Sequence, residues 1–461
     1  MFLPKRFTGV AGILFVLVIL IAGGVFVLRQ FEWYPPRIQV HLEGSTLGRR
    51  PFVVRIHDGG TGLAYVSISL VAGGESSPIH FREFESSVES AEIPLELDPA
   101  RHKLKDGPAV LTITAADRSY WSLFRGNKAS FEKNVTMDFR PPSLEVIADD
   151  RYVTQGGSGL VTYKVSPDTA RSGIKIADYF FPAYRDSSAD GDVHLAFFSH
   201  PYDVPPSERA MIVAEDHAGN TRQAPLVYNV RPLRYRSVKV QVSDSFIRDK
   251  IGPLLTEAGG YGGSPQEQFL KVNDQLRQAN EDNIRKTCQS SVPMKLWTGR
   301  FTQLPNSAVQ ANFADRRSYY YREEKIDEAR HLGYDLAVTR RYPVAAANSG
   351  TVSYAGALGI YGNTVIIDHG FGLCSLYSHL SSVAVAQGDS VKKGARIGRT
   401  GETGLAIGDH LHYGVYIQGV AVLPLEWWDA KWIRDNVTGK LSRPKKNDSP
   451  PATSPSQAPA G

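Results

Sequence analysis

His331-Leu332-Gly333-Tyr334-Asp335, then Asp409-His410-Leu411-His412, with His379 between them, decide how this chain is read. Histidine and aspartate are good ligands for Zn2+, and a catalytic zinc takes three protein ligands and leaves a fourth position for water. Alternate residues of a strand share a face, so His410 and His412 point the same way and Leu411 enters the opposite layer. His331 and Asp335 stand four apart around Gly333, in a loop or strand edge able to bring both side chains to one ion. A lone strand histidine is ordinarily structural. An H-x-G-x-D, an S-H-L and an H-L-H within 82 residues form a metal-like constellation instead.

Around that stretch the pattern is strand-rich. Val352-Ser353-Tyr354, Asn363 to Asp368, Leu373 to Tyr377 and His410 to Tyr416 are separated by glycine turns. The whole chain has 461 residues, too many for one ordinary core, and length predicts about three domains. A net charge of +5 suits an acidic surface or polymer. It lacks the concentrated basic face that nucleic acid requires, so no nucleic-acid partner is expected. Two cysteines, Cys288 and Cys374, exclude a CxxC metal site and a disulfide-dense scaffold. They form either one bridge between connector and enzyme or two buried free thiols.

Phe7 to Leu28 holds 22 residues without a charge, about 33 Å as a helix, which predicts a transmembrane anchor. Lys5 and Arg6 before it keep the N-terminus in the cytoplasm, and Trp33 and Tyr34 suit the far interface. A cleaved signal peptide is the competing reading, against which the run is long and lacks a clear A-x-A site. The expected localisation is therefore the inner membrane, single-pass, with the bulk of the chain in the periplasm.

From 37 to 232 short alternating runs are punctuated by turn residues. Gly59-Gly60-Thr61-Gly62-Leu63 recurs as Gly156-Gly157-Ser158-Gly159-Leu160, and Ala115-Ala116-Asp117 with Gly126-Asn127 recurs as Ala214-Glu215-Asp216 with Gly219-Asn220. The offsets, 97 for the first and 99 and 93 for the second, give two copies the size of an immunoglobulin-like sandwich. In each, an Asp and a Gly-Asn turn would close a hairpin. These modules are read as spacers or as weak contact surfaces for wall or partner proteins. Further on, Ser264-Pro265 followed by Glu267 predicts a helix start, with Phe269, Val272, Leu276 and Ile284 on one stripe of a helix running to about Lys286. Gly259 to Gly263 reads as a flexible break before it. A tail rich in Pro, Ser, Ala and Lys reads as disordered.

The expected organisation is 1–36 cytoplasmic stub and anchor, 37–140 and 141–236 Ig-like β-sandwich modules, 237–299 helical connector, 300–435 catalytic domain and 436–461 tail. The fold class is mainly β, with an N-terminal transmembrane helix and a C-terminal antiparallel β-sheet enzyme.

Over about 300–430 the sequence resembles the LytM/lysostaphin-type zinc metallopeptidases, peptidase family M23. The resemblance rests on Arg330 to Asp335, Pro343 to Ala347, Tyr361-Gly362-Asn363, Asp368-His369-Gly370, Leu376 to Leu380, Gly388 to Gly394, Gly398 to Gly401 and Gly408 to His412. It implies His331, Asp335 and His412 as ligands of one zinc ion. It implies His379 and His410 as the two catalytic histidines, His410 as base and His379 as stabiliser or the reverse. His369 stands outside that set, in a turn. Tyr361 and Asn363 either line the cleft or serve the turn. Asp409 and Gly414 depart from the family's usual residues, and Asp409 either raises the pKa of His410 or caps its loop. The resemblance implies hydrolysis of peptide crosslinks in bacterial peptidoglycan. The reading from another class is a non-catalytic scaffold that binds and activates other wall hydrolases; the filled ligand set argues for the enzyme. Related enzymes can carry a segment over the cleft, so the connector is either core contact or a cover.

Overall fold

The computed structural model describes residues 5–186, 191–257, 260 and 262–441, and for 5–11, 29 and 257 the backbone alone. The 1–4 stub, most of the tail and parts of the 259–263 break lie outside those residues. The chain divides into two compact units, the first built mainly from residues 1–143 and the second mainly from 144–461.

The expected anchor is corrected by the structure. An N-terminal helix runs Lys5–Gln30. Among the described residues, however, no helix is long and apolar enough to cross a membrane.

In the first unit, two sheets face each other. One has three strands, with Phe52–His57 between Arg37–His41 and Ser90–Leu95; the other has five, centred on Gly107–Asp117. Alternating residues such as Val54, Ile56, Ile68, Leu111 and Ile113 point into the shared core, the period-2 pattern that makes a sandwich. The Asp…Gly-Asn motif closes a turn as its chemistry dictates. Asp117 Oδ1 accepts from the Asn127 backbone N–H at 2.7 Å, and Oδ2 accepts from the Asn127 amide at 2.9 Å. Asp216 and Asn220 repeat this pairing at 2.8 and 2.9 Å. Gly126 is obligatory at φ 72°, because a Cβ there would lie 2.2 Å from the Asp117 carbonyl oxygen.

The second unit carries the site. Its largest sheet has eight strands. Leu411–Ile417 lies between Tyr334–Ala337 and Leu373–Leu380, and Asn363–Asp368 and Gly350–Ala357 follow outward. The pairing is antiparallel, with Asp335 opposite His412 on one side and Ser378 opposite His412 on the other. The central strands are buried along their whole length, so both faces of this sheet are covered.

The connector is more than helix. Ser237–Gln241 is a strand that pairs in parallel with Arg316–Tyr321, which in turn pairs with Glu324–Arg330. The helix that follows starts at Pro265 with a complete capping box: Ser264 Oγ accepts from the Glu267 N–H, and the Glu267 carboxylate accepts from the Ser264 N–H at 2.7 Å. It continues through Arg277–Gln289, burying Phe269, Val272 and Ile284. At the far end, residues placed in the disordered tail, 436–441, are helical. Val437 anchors them, at 1% exposure. Cys288 and Cys374 are both buried free thiols.

Candidate metal centre

Three elements deliver the ligand-type side chains. His331 precedes the Tyr334–Ala337 strand, Asp335 lies on it, and His412 is on the neighbouring strand directly across from Asp335. Gly333 is required by closeness: a Cβ there would sit 2.7 Å from the His412 ring. His331 Nε2 lies 2.8 Å from Asp335 Oδ1 and 2.9 Å from His412 Nδ1, and His412 Nδ1 lies 3.0 Å from Asp335 Oδ1. All three residues are buried.

The donor chemistry of this triangle fits a cation. His331 Nδ1–H donates to the Asn312 carbonyl at 2.9 Å, which leaves Nε2 as a bare lone pair in the neutral ring. Asp335 Oδ1 is an acceptor. With three acceptor-type atoms converging, only protons or a shared metal ion relieve the repulsion. His412 Nε2, on the far side of its ring, is buried without a hydrogen-bond partner. Burial pushes the His412 imidazole down to about 4, so it is neutral, as a ligand must be. Burial pushes the Asp335 carboxyl up, but the pull of His331 together with His410 and His412 outweighs it and holds the group well below the usual carboxylate range. The other Asp335 oxygen is taken by Arg317, Nη2 to Oδ2 at 2.8 Å. Outer contacts of this kind orient a ligating carboxylate.

His379 and His410 stand beside the triangle. Their rings are 4.9 Å apart, and His379 is 5.8 Å from the His412 ring. Strict alternation would send His379 away. Ser378 is opposite His412 and shares its face, so residue 379 belongs on the reverse side. A left-handed backbone at His379, φ 62°, with a register shift in the pairing to the Asn363–Asp368 strand, turns the ring back. Such a conformation costs on the order of 1 kcal/mol or more and is held by its surroundings. His379 Nδ1–H donates to the Thr403 carbonyl and His410 Nδ1–H to the Gly408 carbonyl, each at 2.9 Å. Both rings therefore keep Nε2 open; that of His410 is 3.5 Å from Asp335 Oδ1. Burial holds the His379 imidazole well below its ordinary range, with His410 and His412 adding to the effect. Burial also lowers His410, but its contact with Asp335 prevails and raises it.

The remaining sequence candidates are sorted by their contacts. Tyr361 lines the cavity over the site, its ring 5.7 Å from that of His412. Asn363 is turned into the fold, its amide donating to the Leu380 carbonyl at 3.1 Å. Asp409 caps the loop: Oδ2 accepts from the Arg341 N–H at 3.0 Å. At Gly414 a Cβ would meet the Tyr416 ring at 2.7 Å, so a side chain there requires that ring to move. His369 is buried away from the cluster's contacts, Nδ1–H donating to Ser349 O and Nε2 facing Ser375 Oγ, both at 2.7 Å. Burial pushes its imidazole down to about 4. Sequence reasoning missed Arg317 and the carbonyls of Asn312, Thr403 and Gly408. No spacing announces them, because main-chain partners carry no residue signature.

A cavity of about 270 Å3 opens over these residues, lined by His331, Asp335, His379, His410 and His412 together with Arg236 and the connector residues Val238 and Arg277. Two histidines and a carboxylate around one point could hold a metal ion, and two further histidines stand beside them.

The family model of peptidase family M23 matches residues 329–424. Over 95 residues the chain is 43% identical to the DD-carboxypeptidase/endopeptidase Mpg of Neisseria meningitidis, covering 21% of this chain and 22% of that protein. Over 178 residues it is 30% identical to the peptidoglycan DD-endopeptidase ShyA of Vibrio cholerae, covering 39% and 36%. Over 94 residues it is 38% identical to the lipoprotein NlpD of Yersinia enterocolitica, covering 20% of this chain and 96% of that relative. The chain belongs to peptidase family M23. It spans 22% of the length of Mpg and 36% of that of ShyA.

Proposed function

We propose that the protein is a zinc-dependent endopeptidase that hydrolyses peptide crosslinks of bacterial peptidoglycan, acting in the cell envelope where that polymer lies. The observation that carries this reading is the convergence of His331, Asp335 and His412 within 3.0 Å of one another, beside two histidines whose Nε2 atoms remain open. A zinc ion held by those three residues supplies Lewis acidity, making water a nucleophile near neutral pH and polarising an amide carbonyl.

The chain's own groups do the rest. His379 and His410 are fixed by carbonyl contacts at Nδ1, so each can take or give a proton only at Nε2. One accepts the proton of the attacking water and passes it to the leaving amine; the other stabilises the developing oxyanion. Arg317 keeps the Asp335 carboxylate in one orientation. The names of Mpg and ShyA, both endopeptidases, favour the same substrate class. The β modules ahead of the catalytic domain fit a spacer that offers contact surface to wall or partner proteins.

The test is bound metal and turnover together. Elemental analysis of the full chain should return one zinc per chain, and crosslinked peptidoglycan should lose its dimeric muropeptides. His410→Ala should keep the zinc and lose the cleavage. Zinc bound by wild type without cleavage would overturn the hydrolase reading in favour of a scaffold, and absence of zinc would overturn the ligand assignment.

A further inference from the structure

The cavity over the metal centre is unbalanced in charge. Four arginines line it, Arg236, Arg277, Arg317 and Arg330, against two carboxylates, Asp315 and Asp335. Both carboxylates are already engaged: Arg236 holds Asp315 at 2.6 Å and Arg317 holds Asp335 at 2.8 Å. Arg277 and Arg330 are left. Neither forms an ion pair among the described residues. Arg277 donates to neutral acceptors only, Asn273 Oδ1 at 2.7 Å and the Asn273 carbonyl at 3.2 Å. Arg330 donates to the Ala314 carbonyl at 3.2 Å and lies 5.9 Å from the Tyr235 ring.

The two also line a second cavity, of about 490 Å3, that includes Leu332 next to the ligand His331. They thus stand where the two hollows meet. Of the three acids in that second cavity, Glu328 is bound by Arg316 and Lys325, while Glu281 and Asp274 are attracted by Arg277 without forming an ion pair with it, and burial pushes both carboxyls up. Both guanidiniums are half-buried, which makes an anion held there worth more than one at an open surface.

We infer that Arg277 and Arg330 form a carboxylate-binding subsite, which selects crosslinks bearing a free carboxylate close to the scissile amide over uncharged bridges. The inference rests on the peptidase reading above for the substrate's identity as a crosslinked peptide. Bidentate guanidinium–carboxylate pairing supplies both the affinity and the register. Arg277 comes from the helical connector and Arg330 from the hairpin before the ligand His331, so the selecting groups lie outside the ligand-bearing strands.

The test separates binding from turnover. Calorimetry on the zinc-loaded full chain carrying His410→Ala would compare purified muropeptide dimers with free carboxylates against the same dimers amidated at those groups. The free form should bind at least about tenfold more tightly, the worth of one charge-assisted contact. Arg277→Gln and Arg330→Gln should each erase most of that ratio while leaving the amidated form unchanged, and Arg277→Lys should restore part of it. Equal binding of the two dimers, no binding of either, or a ratio untouched by folded variants would overturn the subsite. Turnover by wild type is read in parallel. Carboxylate preference without any cleavage would sink the peptidase reading alone, and cleavage indifferent to amidation would sink the subsite alone.

Discussion

Asp117 in the first unit and Asp335 in the second are both buried carboxylates on strands, 2% and 8% exposed, and their surroundings are opposite in kind. Asp117 is held by N–H donors, with the carboxylates of Glu32 and Asp58 within 4.8 Å of it. The N–H groups of Ser119 and Asn127 and the Asn127 amide all point at it. Asp335 faces ring nitrogens that donate or accept according to their protonation, and only Arg317 donates to it without ambiguity. A carboxylate wrapped in N–H groups is finished as a structural element. One that meets imidazole nitrogens is completed by protons on those rings or by a shared cation. The comparison teaches that polarity of partners, more than depth of burial, separates a turn lock from a metal ligand.

The strongest way to break this contrast is at His331. His331→Ala should reduce bound zinc from one per chain to near zero and cut muropeptide release on the order of 10³-fold or more. Full zinc content in that variant, by elemental analysis, would put Asp335 in the same class as Asp117. The next effect concerns Glu426, a third buried carboxyl, whose Oε2 accepts from the Ser158 N–H at 2.7 Å. Burial pushes it up to about 8 from an ordinary 4.5, against the pull of its hydrogen bonds. Below pH 4.5 the folded and unfolded forms are both protonated. Between pH 4.5 and 8 the unfolded chain releases this proton and the folded chain keeps it, so stability falls across that window, by a few kcal/mol at most, and levels off above it. Urea midpoints at pH 5 and pH 8 should show this loss, and Glu426→Gln should flatten it.

Asp117→Ala should then cost about 2–3 kcal/mol, because it strands buried N–H donors, with zinc content unchanged. Loss of zinc there would erase the distinction between the two aspartates. The smallest effect sharpens the picture at the metal centre: Arg317→Gln should weaken zinc about tenfold, the usual scale for removing a partner of a ligand, measured by competition with a chelator. Unchanged affinity would mean that the Arg317–Asp335 pair orients nothing.

The grouping of His331, Asp335 and His412 was legible through the family resemblance, since the 81 positions from His331 to His412 do not by themselves announce the adjacent strands that bring them together. The capped helix at Pro265 and the Asp117–Asn127 lock were legible directly, since local motifs satisfy local backbone groups. His379 was legible by motif and opaque by geometry, because its φ of 62° cancels the alternation that strand reasoning assumes. Arg317 and the 237–241 strand were hidden: their partners are far along the chain, and nothing in their own sequence names them. The apolar run near the N-terminus misled for the opposite reason. Composition alone suggested a span, whereas among the described residues no helix meets the length and apolarity to cross a membrane.

Three of the site's four histidines are aimed by main-chain carbonyls, those of Asn312, Thr403 and Gly408. Every amino acid carries the same carbonyl, so the aim of these rings is stored in the lengths and paths of the loops. Drift in residue identity at Asn312 and Thr403 would leave the hydrogen bonds available, while Gly408, at φ 86°, favours glycine; adding or deleting a single residue would swing a carbonyl away and disarm its ring. The candidate site is thereby buffered against point substitution at Asn312 and Thr403 and vulnerable to changes in loop length.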